Sequence, residues 1–134
     1  MTSNIPHEYR PLLTLLAHSV VLRDETKAAI IDMDADAADS QRRLDSNEHL
    51  VTSAQQFGSV TKRWFANATK DMHADRLACI GLARQFLEEH LQNIDGHYLS
   101  LENDLKAKIL EVSGGDASLF AVYVPARPDD FQQD

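Results

Sequence analysis

The stretch LACIGLARQFLEEHLQNIDGHYLSLENDLKAKILEV, residues 77–112, decides how this chain folds. Its apolar side chains recur at Leu77, Ile80, Leu87, Leu91, Ile94, Tyr98, Leu101, Leu105, Ile109 and Val112. Nearly all the steps are three or four residues, so at about 100° per residue these side chains fall on one narrow stripe of a helix. The opposite face carries Gln85, Glu88, Gln92, Asp95, Asn103 and Lys106. The pattern approximates about five heptads, with Arg84 and Lys108 as polar interruptions of the seam. A continuous helix over this range would be about 54 Å long. Ser113-Gly114-Gly115 ends it, because glycine readily takes the left-handed conformation of a helix C-cap.

Working outward, no proline occurs between Leu12 and Val124; all four lie near the ends, at Pro6, Pro11, Pro125 and Pro128. A proline-free interior permits long helices. Pro11 suits a first turn, and Leu12, Leu13, Leu16, Val20 and Val21 give that helix an apolar face that ends near Arg23-Asp24 or continues to Met33. A second helix is expected over about 39–57, with Leu44, Leu50, Val51, Ala54 and Phe57. Gly58-Ser59 offers a stop and a new N-cap. Val60, Trp64, Phe65, Ala68 and Met72 then continue at helical spacing toward the long helix, with Trp64 expected in the core. Gly81 and Gly96 mark either a close backbone approach or a bend. Cys79, Leu82 and Phe86 fall off the main stripe by a quarter-turn or more, so this part of the helix should touch two neighbours.

The tail changes character. Leu119-Phe120-Ala121-Val122-Tyr123-Val124 is a β-prone run closed by Pro125. It is expected either as an extended arm across the bundle or as a strand paired in trans. The fold class is therefore all-α: an antiparallel helical bundle around one long amphipathic, coiled-coil-like helix. One domain is expected over 1–134, with an N-terminal arm (1–10), a bundle (11–113) and an extended C-terminal tail (114–134).

Composition narrows the function classes. The 134 residues carry a net charge of −8, which disfavours nucleic acid and anionic membrane as partners. No apolar run approaches the roughly 20 residues that cross a bilayer, and the N-terminus does not read as a signal peptide. The single cysteine, Cys79, leaves no internal disulfide framework and fits a reducing, cytoplasmic setting. On that reading the Asn67-Ala68-Thr69 sequon is accidental.

Candidate chemistry is sparse. Asp32-Met33-Asp34-Ala35-Asp36 begins like a calcium loop, but the glycine and glutamate that an EF-hand requires are replaced by Ala37 and Arg43. Asp24, Asp32, Asp36 and Asp39 read instead as an acidic helix face, with Asp34, Asp36 or Asp39 alternatively capping a helix start. His7, His18, His49, His73, His90 and His97 lack the spacing of a helical metal site. No phosphate-cradling loop or paired catalytic motif occurs. The sequence therefore points to no enzyme, no cofactor and no metal. It points to a non-catalytic protein-binding module, expected as a homodimer, with Leu91, Ile94, Tyr98, Leu101, Leu105, Ile109, Phe120 and Val122 as interface residues. Two alternatives follow from the same residues. One is an acidic nucleic-acid mimic acting through Asp32, Asp36 and Asp39; the other is a ligand-sensing bundle with a pocket near Phe86 and Cys79.

Overall fold

No glycine or proline interrupts residues 12–57, and this whole span is helical. The computed structural model describes residues 5–131, and Phe57 by its backbone alone. A 3-10 turn, His7–Tyr9, leads into α1, Arg10–Phe57. After Gly58-Ser59, α2 runs over Val60–Ser113, and a second 3-10 turn, Ala117–Leu119, precedes the single turn of α3, Phe120–Tyr123. The described chain is helical, as expected, but the segmentation differs. The separate helices expected before residue 58 are one helix. The segment from Val60 to Met72 belongs to α2, because nothing between Met72 and Leu77 breaks a helix.

Gly58 fits the turn for a steric reason. Its N–H donates to the Ala54 carbonyl at 2.8 Å, and a Cβ at this position would stand 2.7 Å from that oxygen. The Ser59 hydroxyl accepts from the Lys62 N–H at 3.3 Å, which caps α2. At the far end Gly114 and Gly115 adopt φ of 75° and 104°. The Gly115 N–H closes the helix on the Leu110 carbonyl at 2.9 Å. Gly81 and Gly96 lie within α2, and a Cβ at either would meet nothing within 4 Å, so neither marks a close backbone approach.

The chain divides into two compact units. The first joins residues 1–27 to 89–134. Its core is Tyr9, Leu16, Tyr98, Leu101, Leu105 and Ile109, with Leu12, Leu13, Val20, Leu119, Phe120, Tyr123, Val124 and Phe131 packed against it. The expected stripe of α2 is therefore covered by α1 and by the chain's own tail. The rings of Tyr9 and Tyr123 lie 5.1 Å apart, and those of Tyr98 and Phe131 5.4 Å apart. The tail is not a strand: Phe120, Tyr123 and Val124 turn inward at three-and-four spacing while Val122 is 67% exposed. A strand would have placed Phe120, Val122 and Val124 on one face. Residues 1–4 of the expected N-terminal arm and 132–134 of the tail lie outside the described residues.

The second unit, residues 28–88, is the remainder of α1 against the beginning of α2. Its apolar interior is thin. Among the described side chains Val51 and Ile80 are the buried hydrophobic residues there, accompanied by buried Ser40 and Asn47. Side chains of Arg84 and Asp34 (2.5 Å) and of Lys70 and Glu48 (3.7 Å) link the two helices.

Candidate protein-binding face

α2 has two apolar faces in the second unit. One turns toward α1 and contains Leu77, Ile80 and Leu87. The other begins at Phe65 and continues through Ala68, Met72, Asp75, Cys79, Leu82 and Phe86, at steps alternating three and four. At about 100° per residue this second stripe stands roughly 120° from the first. Every one of its residues is exposed. The large ones are Phe65 at 66%, Met72 at 60%, Leu82 at 69% and Phe86 at 71%, with Trp64 beside them at 69%. Trp64, Phe65 and Phe86 alone leave on the order of 400 Å² of ring-bearing side chain in water. Large apolar side chains exposed along one helix face, interrupted at Asp75, are characteristic of a surface that meets another protein.

Trp64 was expected inside, and it is not. Its neighbours at helical spacing, Val60, Thr61, Asn67 and Ala68, are exposed as well, and among the described residues no element covers this side of α2. Cys79, Leu82 and Phe86 were expected to meet a second neighbour; among the described residues none covers them. They also line neither of two described grooves. One, of about 500 Å³, is lined by Leu50, Ala54, Gly58, Phe65 and Ala66 among others. The other, of about 300 Å³, is polar and lined by Asp39, Arg42, Arg43, Ser46, Asn47 and His73.

Most of the residues expected to form an interface are occupied within the chain. Ile94, Tyr98, Leu101, Leu105 and Ile109 are buried, Leu91 and Phe120 are half-buried, and Val122 is exposed. The seam is covered by Tyr9, by α1 between Leu12 and Val20, and by the tail between Leu119 and Phe131. The acidic residues lie mid-helix, so none caps a helix start, and Asp32–Asp36 forms no loop. Asp32 and Asp36 are exposed. Asp39 is half-buried and accepts from Arg42 and Arg43 at 3.3 and 3.0 Å. The hydrogen bond from Arg42 holds its carboxyl below the usual aspartate range.

Two ion-pair groups fix the tail on the first unit. Arg23 is 4% exposed and donates from Nε to Asp95 Oδ1 at 2.7 Å. Its Nη1 donates to Asp130 Oδ1 at 2.6 Å, and Lys27 reaches the other Asp130 oxygen. Asp95, expected on the solvent face of α2, is 8% exposed because this guanidinium draws it inward. Glu102, 3% exposed, accepts from Arg127 at 2.7 and 3.1 Å. The Arg127 guanidinium keeps the Glu102 carboxyl below its ordinary range, against the upward pull of burial. Phe131 sits between the two cations, with its centroid 5.6 Å from Arg23 and 5.4 Å from Arg127.

Among the described residues no group of three or more His, Cys, Asp and Glu side chains could hold a metal ion, and no helix is long and apolar enough to cross a membrane. Compared with known protein families, curated proteins and solved structures, the chain matches none.

Proposed function

We propose that this protein is a non-catalytic protein-binding module, of the adaptor, chaperone, assembly-factor or inhibitor kind, and that it binds through the outer stripe of α2. One observation carries the reading: Trp64, Phe65, Met72, Leu82 and Phe86 stand 60–71% exposed on a helix whose other apolar face is turned toward α1. Aromatic and Met side chains are enriched where proteins meet, and a helix laid against a partner is read through anchors at this three-and-four spacing. The acidic-mimic reading receives less support, since Asp39 is neutralised by two arginines of its own helix.

A photo-crosslinking amino acid at position 82, compared with one at the exposed, polar position 45 of α1, tests the reading in the native cell. Adducts of defined mass to protein from position 82 alone are expected. Equal labelling from both positions, or none from 82, would remove the proposal.

A further inference from the structure

Beyond the protein-binding reading, we propose that the larger groove of the second unit holds a small elongated amphiphile: an apolar chain with a carboxylate at one end and a neutral hydrogen-bonding group at the other. The groove has a volume of about 500 Å³, within the roughly 300–1,000 Å³ of small-molecule sites. The chain that lines one side of it, from Asn47 to Gly58, rises about 16 Å. That is close to the length of an extended twelve-carbon chain. Of the outer stripe of α2, only Phe65 is among the described lining residues.

The middle of the groove is apolar, formed by Leu50, Ala54, Phe65 and Ala66. Each methylene buried there is worth about fourfold in affinity. The two ends differ. At the Gly58 end stands Lys62, which is exposed and has no ion-pair partner among the described residues. No acid occurs between Glu48 and Asp71, a stretch that carries Lys62, Arg63 and Lys70. Lys70 is engaged by Glu48 at 3.7 Å, so Lys62 is the cation left to the groove. A carboxylate beside it gains a charge-assisted hydrogen bond.

At the other end stands Asn47, 9% exposed, whose side-chain amide has no hydrogen-bond partner among the described residues. Buried amides are nearly always hydrogen-bonded, and a hydroxyl on the far end of the ligand supplies what this one lacks. Asn47 also borders the smaller polar groove, which makes this the polar, uncharged end.

Calorimetric titration of the full chain with 12-hydroxydodecanoate and with dodecanoate, both below their aggregation thresholds, tests the assignment. The hydroxylated acid should bind saturably at one site per chain, and dodecanoate about fivefold more weakly. Asn47→Leu should erase that preference. Lys62→Glu, at an exposed position that leaves the fold intact, should weaken both acids about fivefold. Ala66→Leu, which fills the groove, should abolish binding, with circular dichroism checking that helicity is kept. No saturable binding up to about 1 mM, an affinity unchanged in Ala66→Leu or in Lys62→Glu, or a hydroxyl preference that survives Asn47→Leu would overturn the proposal. Sedimentation with phosphatidylglycerol vesicles separates a free amphiphile from a bilayer: vesicle binding without binding of 12-hydroxydodecanoate would overturn it as well.

Discussion

Replacing Arg23 by methionine isolates the buried charge on which the tail depends. The methionine keeps much of the apolar stem but removes the guanidinium, leaving the Asp95 side chain, 11% exposed, without its 2.7 Å partner. Breaking a buried pair from one side costs about 3–5 kcal/mol, because the remaining charge is uncompensated. The lost link to Asp130 adds little: that carboxylate is 45% exposed, and exposed pairs are worth about 0–1 kcal/mol. For a chain of this length the sum should lower the melting temperature by roughly 10–20 °C. The compensated double variant, Arg23→Met with Asp95→Leu, should recover most of that loss, since exchanging a buried pair for apolar groups is often neutral. Urea and thermal unfolding followed by circular dichroism, run as a double-mutant cycle, read both numbers. A single variant within about 1 kcal/mol of wild type would refute the reasoning, as would a double variant as unstable as the single.

Three further outcomes follow from the fold. Arg127 depresses the Glu102 carboxyl in the folded state, so its stabilisation is present above the unfolded value of about 4.3 and is lost as pH falls through the lower folded value. Urea unfolding from pH 6 down to pH 3 should therefore show wild type losing its advantage over Glu102→Gln, and parallel curves would contradict this. Gly58→Ala should destabilise by about 1–3 kcal/mol, because its Cβ would meet backbone atoms of Ala54 at 2.7 and 3.0 Å. Gly81→Ala, with nothing within 4 Å of the added Cβ, should instead stabilise by about 0.5–1 kcal/mol; calorimetry of the pair checks the opposite signs.

The helical class and the stripe on α2 are legible in the sequence because period and proline placement are local properties. What covers a stripe is not local. The seam over 91–112 reads as a free surface while the tail is read as a strand, whereas Leu119, Phe120, Tyr123, Val124 and Phe131 pack on it beside Tyr9 and Leu16. The length of α1 is hidden for a different reason: its inward side is disguised. Leu16, Ser19, Arg23, Thr26, Ile30, Met33, Ala37, Ser40, Leu44, Asn47 and Val51 alternate at three and four and are all buried or half-buried. Nearly every other one of them is small or polar, so a hydrophobicity pattern fades where the helix does not. Asp95 misleads in the same way, its burial depending on Arg23, 72 residues away. The tail run is β-prone by composition, yet Phe120 and Tyr123 find apolar surface at one helical turn, which a strand could not reach with both. The second apolar face of α2 is partly legible through the displaced Cys79, Leu82 and Phe86. Trp64 and Phe65 join it only once residues 60–113 are known to form one helix.

Capture from the native lysate by immobilised wild type and by Leu82→Glu/Phe86→Glu, read by mass spectrometry, tests most directly the central claim that the protein binds another protein chain through the outer stripe of α2. Both substituted positions are exposed in the chain, so helicity should be unchanged while a charge is driven into the contact. The account predicts a discrete protein retained by the wild type and lost from the variant. Equal retention by both, or retention of no protein by the wild type, would contradict it.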